Sequence, residues 1–489
     1  MNLAARLFLE ALRFDLEPED DVRRRAEGAL ELGVGGFVVF GGEAERVAVR
    51  IEEWRGAVRH RLWIASDLER GPGQQFHGLP TLPPPAGLAA SPDPERAARE
   101  AGRITGRGAR AVGVDLVLAP VLDLDVEPRN PIVGTRSFGS DPELVGRLGG
   151  AWIAACQGEG AAACAKHFPG HGRTTADSHD ELPSVAAGRS ELERDLVPFA
   201  AVSELVASVM TAHVAYPALG SERPATLEPR ILEDLLRGRL GFEGIVVTDA
   251  MNMAGFADVA AGNADLTGAA AALMAGCDLL LYPSDLAAAA TALERAALDS
   301  VVVGDRLEAS LRRVEETARR VRPGGGGPRP RLTGGGRELA AALARDAVRI
   351  EGRPPAWVAP DRPLRVAAIW DDRTVPARAS LGEPFRRELR ARGWQIVEEG
   401  PGTQPALLLV ASTPQAWKGT AALTDAGRAS VAAVRAESSA TWPVALGHAR
   451  LLSDLGPGGG LVAWGTEEAL ERAAAARLDE AVRGAEAGG

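Results

Sequence analysis

Apolar residues in the first two thirds of the chain gather in short runs rich in Val, Ile, Leu and Phe. They fall at 7–14, 36–40, 62–67, 115–120, 161–167, 207–213, 244–249 and 278–282. Between most of them lie Ala-, Leu-, Glu- and Arg-rich segments with helical spacing, as at 20–32, 94–111, 141–159 and 227–239. Strand-length runs alternating with helical ones specify βα units and a parallel sheet. Eight such units within residues 1–321 predict a closed (β/α)8 TIM-type barrel with insertions.

Residues 322–336, RPGGGGPRPRLTGGG, change the pattern: Gly and Pro at this density support neither a helix nor a central strand, so the stretch reads as a linker. Beyond it, a helix is expected at 337–349, apolar runs at 364–370, 394–397, 406–412, 443–447 and 461–464, and helices at 423–437 and 467–485. Residues 337–489 are therefore expected to form a smaller α/β sandwich. His448 is their only histidine and they gather no cluster of acids and bases, which assigns them structural work.

Composition narrows the class. A chain with 46% hydrophobic and 25% charged residues is of ordinary globular make-up. Its net charge of −11 argues against nucleic acid or an anionic membrane as partner. The N-terminus has no basic head followed by a clean apolar run, and no segment is apolar for long enough to cross a bilayer, so a cytoplasmic protein is expected. Cys156, Cys164 and Cys277 lie in apolar surroundings without metal-ligand spacing, as buried free thiols do. No cofactor is called for, and the oligomeric state is left open.

Four of the predicted strands end in a polar residue: Asp67, His167, His213 and Asp249. An Asp there can simply cap the next helix. Four together suggest convergence on the carboxyl-end mouth of a barrel. The densest chemistry lies at 166–183, KHFPGHGRTTADSHDELP, where three of the seven histidines accompany Lys166 and Asp177. Asp177 and His179, two apart on a turn, can pair so that the carboxylate orients the ring for general acid and base work. The same histidines could instead ligate zinc, but Pro169 and Gly170 break the helix that would aim His167 and His171 at one ion, and no metal is called. Asp249, delivered by an apolar strand, suits a nucleophile or a counter-charge. Arg136, in NPIVGTRSF, suits a carboxylate, sugar hydroxyls or a structural ion pair, and Asp67 suits bidentate bonding to vicinal hydroxyls.

KHFPGHG with DSH and LP, together with APVLDL, NPIVG, RSFGSDP and VVTDAMNM in this order, resembles the family 3 glycoside hydrolases, and within them the bacterial β-N-acetylglucosaminidase branch associated with cell-wall recycling. The resemblance runs from about 67 to about 285. It implies a small carbohydrate substrate and a retaining displacement, with Asp249 attacking the anomeric carbon. His179, paired with Asp177, would protonate the leaving oxygen and then activate water. By the same resemblance Asp67, Arg136, Lys166, His167 and His213 line the −1 sugar pocket. The family usually carries D-x-E-G-G where this chain reads Asp67-Leu68-Glu69-Arg70-Gly71, which leaves a β-glucosidase or dual-specificity enzyme as an alternative. A neutral base would not repel an anionic acceptor, so a phosphorylase is another. A metal-dependent hydrolase is a third.

Overall fold

The computed structural model describes residues 2–176, 182–256, 268–321, 335–371, 380–397, 404–412 and 422–487. The chain divides into two compact units: Met1–Pro80, Ala98–Glu127 and Gly139–Gly336 form one, and Thr81–Ala97, Pro128–Phe138 and Arg337–Gly489 the other. Each is taken by itself.

The first unit is a closed barrel of eight parallel strands: β1 (Phe8–Arg13), β2 (Gly36–Phe40), β3 (Trp63–Ser66), β4 (Leu116–Val117), β5 (Ala162–Phe168), β6 (Ser208–Thr211), β7 (Ile245–Ala250) and β8 (Leu279–Leu281). β8 returns to pair with β1, closing the ring. Strands covered on both faces can be apolar throughout, and β2 is buried at every position. Along the strands, alternate residues point into the barrel. Leu9 and Ala11, Val38 and Phe40, Trp63 and Ala65, Ala162 and Cys164, and Ile245 and Val247 form one interior cluster. Val314 and Ala318 of the helix Val301–Val321 join it.

β4 is the one barrel strand whose regular pairing is much shorter than its apolar run. Pro120 has no N–H to give to a ladder, so pairing shifts to carbonyls. Ala119 and Pro120 accept from the Cys164 and Lys166 amides, and Leu122 then donates to the Lys166 carbonyl at 2.8 Å. The irregular path holds residues 119–123 against the mouth end of β5.

At the opposite end of the barrel, Asp278 is fully buried just before β8. Its carboxylate accepts from Arg237 (2.7 Å), Arg313 (2.7 Å), Ser310 (2.9 Å) and the Val246 amide (2.9 Å). One carboxylate thus ties β7 and β8 to two helices, compensated as a buried charge must be.

The second unit contains a five-stranded sheet: β9 (Arg349–Glu351), β10 (Arg365–Trp370), β11 (Ala406–Ser412), β12 (Thr441–Gly447) and β13 (Gly460–Val462), in the order β9-β13-β12-β11-β10. All pairs are parallel except β9 with β13. Apolar residues from alternate positions of β10 to β12 feed two cores, one shared with the helices Glu383–Ala391 and Glu468–Ala487. The apolar run at 394–397 is no strand. Ile396 makes a single bridge to Leu364, and Trp394 turns inward to donate to Asp479 at 2.7 Å. The three cysteines are free and buried. Among the described residues no helix is long and apolar enough to cross a membrane.

Candidate active site

The alternation that fills the barrel decides what faces its mouth. One step beyond Ala65, Cys164 and Val247 come Asp67, Lys166 and Asp249, so apolar interior rows end in a carboxylate, an ammonium and a second carboxylate. Lys166 is only 3% exposed, and its Nζ lies 2.6 Å from Asp67 Oδ1 and 2.7 Å from Glu69 Oε1. A buried ammonium shared by two carboxylates is fixed in position.

β5 supplies the next residue as well. Its register against β6 slips between Ala165 and Phe168, so Lys166 and His167 occupy an irregular segment rather than a strict ladder. Lys166–His167 and Phe168–Pro169 are cis peptide bonds. His167 Nδ1 donates to Asp123 Oδ2 at 2.7 Å, and the His167 and His171 amides donate to the same carboxylate, the latter at 2.7 Å. Burial alone would raise the Asp123 carboxyl. The charge and hydrogen bond of His167, with the charge and amide of His171, hold it below its ordinary value.

Asp249 stands at the end of β7 with Oδ1 accepting from the Ala250 amide at 2.8 Å. Burial acts to raise its carboxyl, but His167, His213, the Ala250 amide and Lys166 outweigh it and bring it to about 2. It is a carboxylate throughout the neutral range. His213 lies fully buried behind it, Nε2 donating to the Ala250 carbonyl at 3.1 Å, while Thr226 Oγ1 is 2.7 Å from Nδ1. A carbonyl only accepts, so Nε2 carries the proton. Burial, the largest influence, lowers the His213 pKa. Both ring nitrogens are engaged, and the ring braces the backbone beside Asp249.

The loop after β5 leaves the mouth through a tight stem. A Cβ at Gly172 would lie 1.8 Å from the Leu124 carbonyl oxygen, so only glycine fits that crossing. Tyr216 donates to the Gly170 carbonyl at 2.8 Å, and Arg173 binds Asp195 at 2.7 Å. His171 is buried with Nδ1 2.9 Å from Thr174 Oγ1 and packs edge-on to His167. It holds the stem together.

Burial and then the neighbouring His167 lower His171 from 6.5 to about 4. The unfolded chain therefore takes up a proton below pH 6.5 that the folded chain refuses. This contribution to stability is whole above 6.5 and is lost as the pH falls toward about 4. The expected loss is roughly 3 kcal/mol. In His171→Asn, the fall in urea-unfolding free energy over that window should be shallower than in the parent by about this amount. Equal slopes would rule out His171 as its source.

Asp177 and His179 lie outside the described residues. Arg136 belongs to the second unit. There it ends a short turn, Gly134–Arg136, and donates to the Ile132 carbonyl at 3.0 Å, while Asn130 accepts from the Ile132 and Val133 amides. Sequence reasoning overlooked two residues of the mouth, Asp123 and Glu69. Acids two apart within the apolar run VLDLD, and the acid two residues after Asp67, were the available signals. Among the described residues, no group of three or more His, Cys, Asp or Glu is placed to hold a metal.

The chain is similar to known proteins. The profile described as "Glycosyl hydrolase family 3 N terminal domain" matches residues 19–321. A β-hexosaminidase of Pseudomonas aeruginosa (strain LESB58) is 40% identical over 265 residues, 53% of this chain and 78% of that protein. A β-N-acetylglucosaminidase/β-glucosidase of Cellulomonas fimi is 33% identical over 296 residues, 58% of this chain and 52% of that protein. The solved structure of a family 3 β-N-acetylglucosaminidase from Paenibacillus sp. str. FPU-7 superposes with a TM-score of 0.83 at 27% identity, covering 98% of this chain and 96% of the other. With the profile spanning β2 to β8 of the barrel and 19–321 of the chain, the chain belongs to glycosyl hydrolase family 3.

Proposed function

We propose that this chain is a retaining exo-β-N-acetylglucosaminidase, releasing terminal β-linked N-acetylglucosamine through a covalent glycosyl-enzyme. The observation that carries the reading is the mouth layer, where Lys166 is clamped between Asp67 and Glu69 while Asp249 is kept ionised. Asp249 attacks the anomeric carbon. Asp67, Lys166 and His167 hold the sugar's hydroxyls, with Asp123 fixing the His167 ring. His213 keeps the Asp249 backbone in place. His179, paired with Asp177, gives a proton to the leaving oxygen and takes one from water in the second step. The name of the Paenibacillus relative supports the N-acetylglucosaminide as substrate, and that of the Pseudomonas relative a β-hexosaminide. That of the Cellulomonas relative favours a second reading, one site serving both N-acetylglucosaminides and glucosides.

A panel of nitrophenyl β-glycosides tests this, with and without phosphate. The N-acetylglucosaminide should be cleaved, and His179→Ala should slow a poor leaving group about a hundredfold while a dinitrophenyl glycoside, which needs no proton, is still cleaved to the glycosyl-enzyme. Equal loss on both would remove His179 from the acid role. A sugar 1-phosphate as product would make the enzyme a phosphorylase.

A further inference from the structure

The interior row that ends in Asp67, Lys166 and Asp249 on three strands has a fourth member. On β1, Leu9 and Ala11 belong to the interior cluster, so the next inward position is Arg13. Its register partner on β2 is Phe40, itself in the cluster, and the guanidinium carbon lies 4.5 Å from the centre of the Phe40 ring. Tyr282, just past β8, meets that ring edge-on at 6.2 Å. Tyr282 also stands in the fields of Asp67, Asp249 and Arg13.

Arg13 differs from three other arginines of the barrel. Arg55, Arg237 and Arg313 each bind a buried carboxylate. Among the described residues Arg13 has no carboxylate within ion-pair reach, and its side chain makes no hydrogen bond; its one partner is the Phe40 face. Stacking on an aromatic orients a guanidinium but leaves its five N–H donors, which lie in the guanidinium plane, free for an acceptor. The roles given to Asp67, Lys166, His167 and Asp249 leave the β8–β1–β2 side of the mouth without a polar ligand for substrate. A half-buried, pre-oriented, permanently charged fork there would be costly to build for packing alone.

We propose that Arg13 is a specificity-determining residue that receives an anionic group, a carboxylate or phosphate, carried by the glycoside. The proposal rests on the glycosidase reading and adds the charge class of the substrate. A planar bidentate donor over an aromatic floor suits such a group better than a neutral hydroxyl, and Tyr282 offers a further donor beside it.

The test compares Arg13→Gln and Arg13→Lys with the parent on three substrates: 4-nitrophenyl N-acetyl-β-glucosaminide, its 3-carboxy-4-nitrophenyl analogue, and the 4-nitrophenyl glycoside phosphorylated at the sugar O6. The quantity read is the ratio of kcat/KM for an anionic substrate to that for the neutral one. In Arg13→Gln that ratio should fall about tenfold for one anionic substrate, the value of a single part-exposed ion pair. Arg13→Lys should recover part of it, and added salt should lower it in the parent. The substrate affected tells whether the anion belongs to the leaving group or to the sugar. A ratio unmoved for both, even if all rates drop together, would reduce Arg13 to a packing residue and overturn the proposal. If the parent cleaves none of the three, the glycosidase reading fails on its own. The same ratio, measured as binding affinity by calorimetry, then still decides the role of Arg13.

Discussion

Asp249→Ala is expected to lower kcat by about four orders of magnitude while leaving the fold intact. The carboxylate ends an apolar strand whose other side chains are buried, so removing it trims the mouth without opening the core. Its chemistry has no substitute nearby. Asp67 and Glu69 are both committed to Lys166, and Asp123 to His167 and the His171 amide. Because the surroundings hold Asp249 at about 2, it is charged at any working pH. The acid limb of the parent's kcat/KM profile should therefore not report this group above about pH 3. A fluorinated glycoside that stalls the second step should add its mass to the peptide carrying Asp249. An adduct elsewhere, or an unchanged rate in the variant, would move the nucleophile to another residue. Thermal melting of the variant separates lost chemistry from lost folding.

The barrel was legible because each strand is a local statement, a few apolar residues punctuated by turns, and the helices between are long enough to show their period. The same logic explains the gaps. β9 is three residues with only Ile350 apolar, too short for a pattern, and exists because β13 offers it an edge. The run at 394–397 has strand composition but spends it on burial, with Trp394 anchored by Asp479 from a distant helix. Composition cannot tell a residue that enters a ladder from one that plugs a core.

The site was legible in a different way. Asp67, His167, His213 and Asp249 stood out as polar residues ending apolar strands, and Lys166 by the density of titratable groups that follow it. Asp123 did not, because its partners His167 and His171 lie more than forty residues away and only the irregular path after Pro120 brings them together. His213, expected to line the sugar pocket, has both ring nitrogens engaged, by Thr226 and the Ala250 carbonyl. Arg13 was invisible as chemistry because an arginine after an apolar run reads as a strand end meeting water. Only barrel closure turns that position inward.

Lys166→Met is expected to lower kcat/KM about a thousandfold and to destabilise the protein by about 3 kcal/mol, the cost of removing one partner from a buried ion pair. Methionine fills much of the same volume, so the loss is electrostatic. Two carboxylates that now share a cation at 2.6 and 2.7 Å would face one another without it. Lys166→Arg should not restore activity, because a planar fork cannot replace a compact ammonium seated between two acceptors. The double variant Lys166→Met, Glu69→Gln separates the two roles. Removing one of the opposed charges should return much of the melting temperature, since the repulsion is gone. Activity should stay near the level of the single variant, since the donor that grips the sugar is still missing. If activity returned together with stability, Lys166 would serve only to hold Asp67 and Glu69 apart, and its place among the sugar-binding residues would have to be given up.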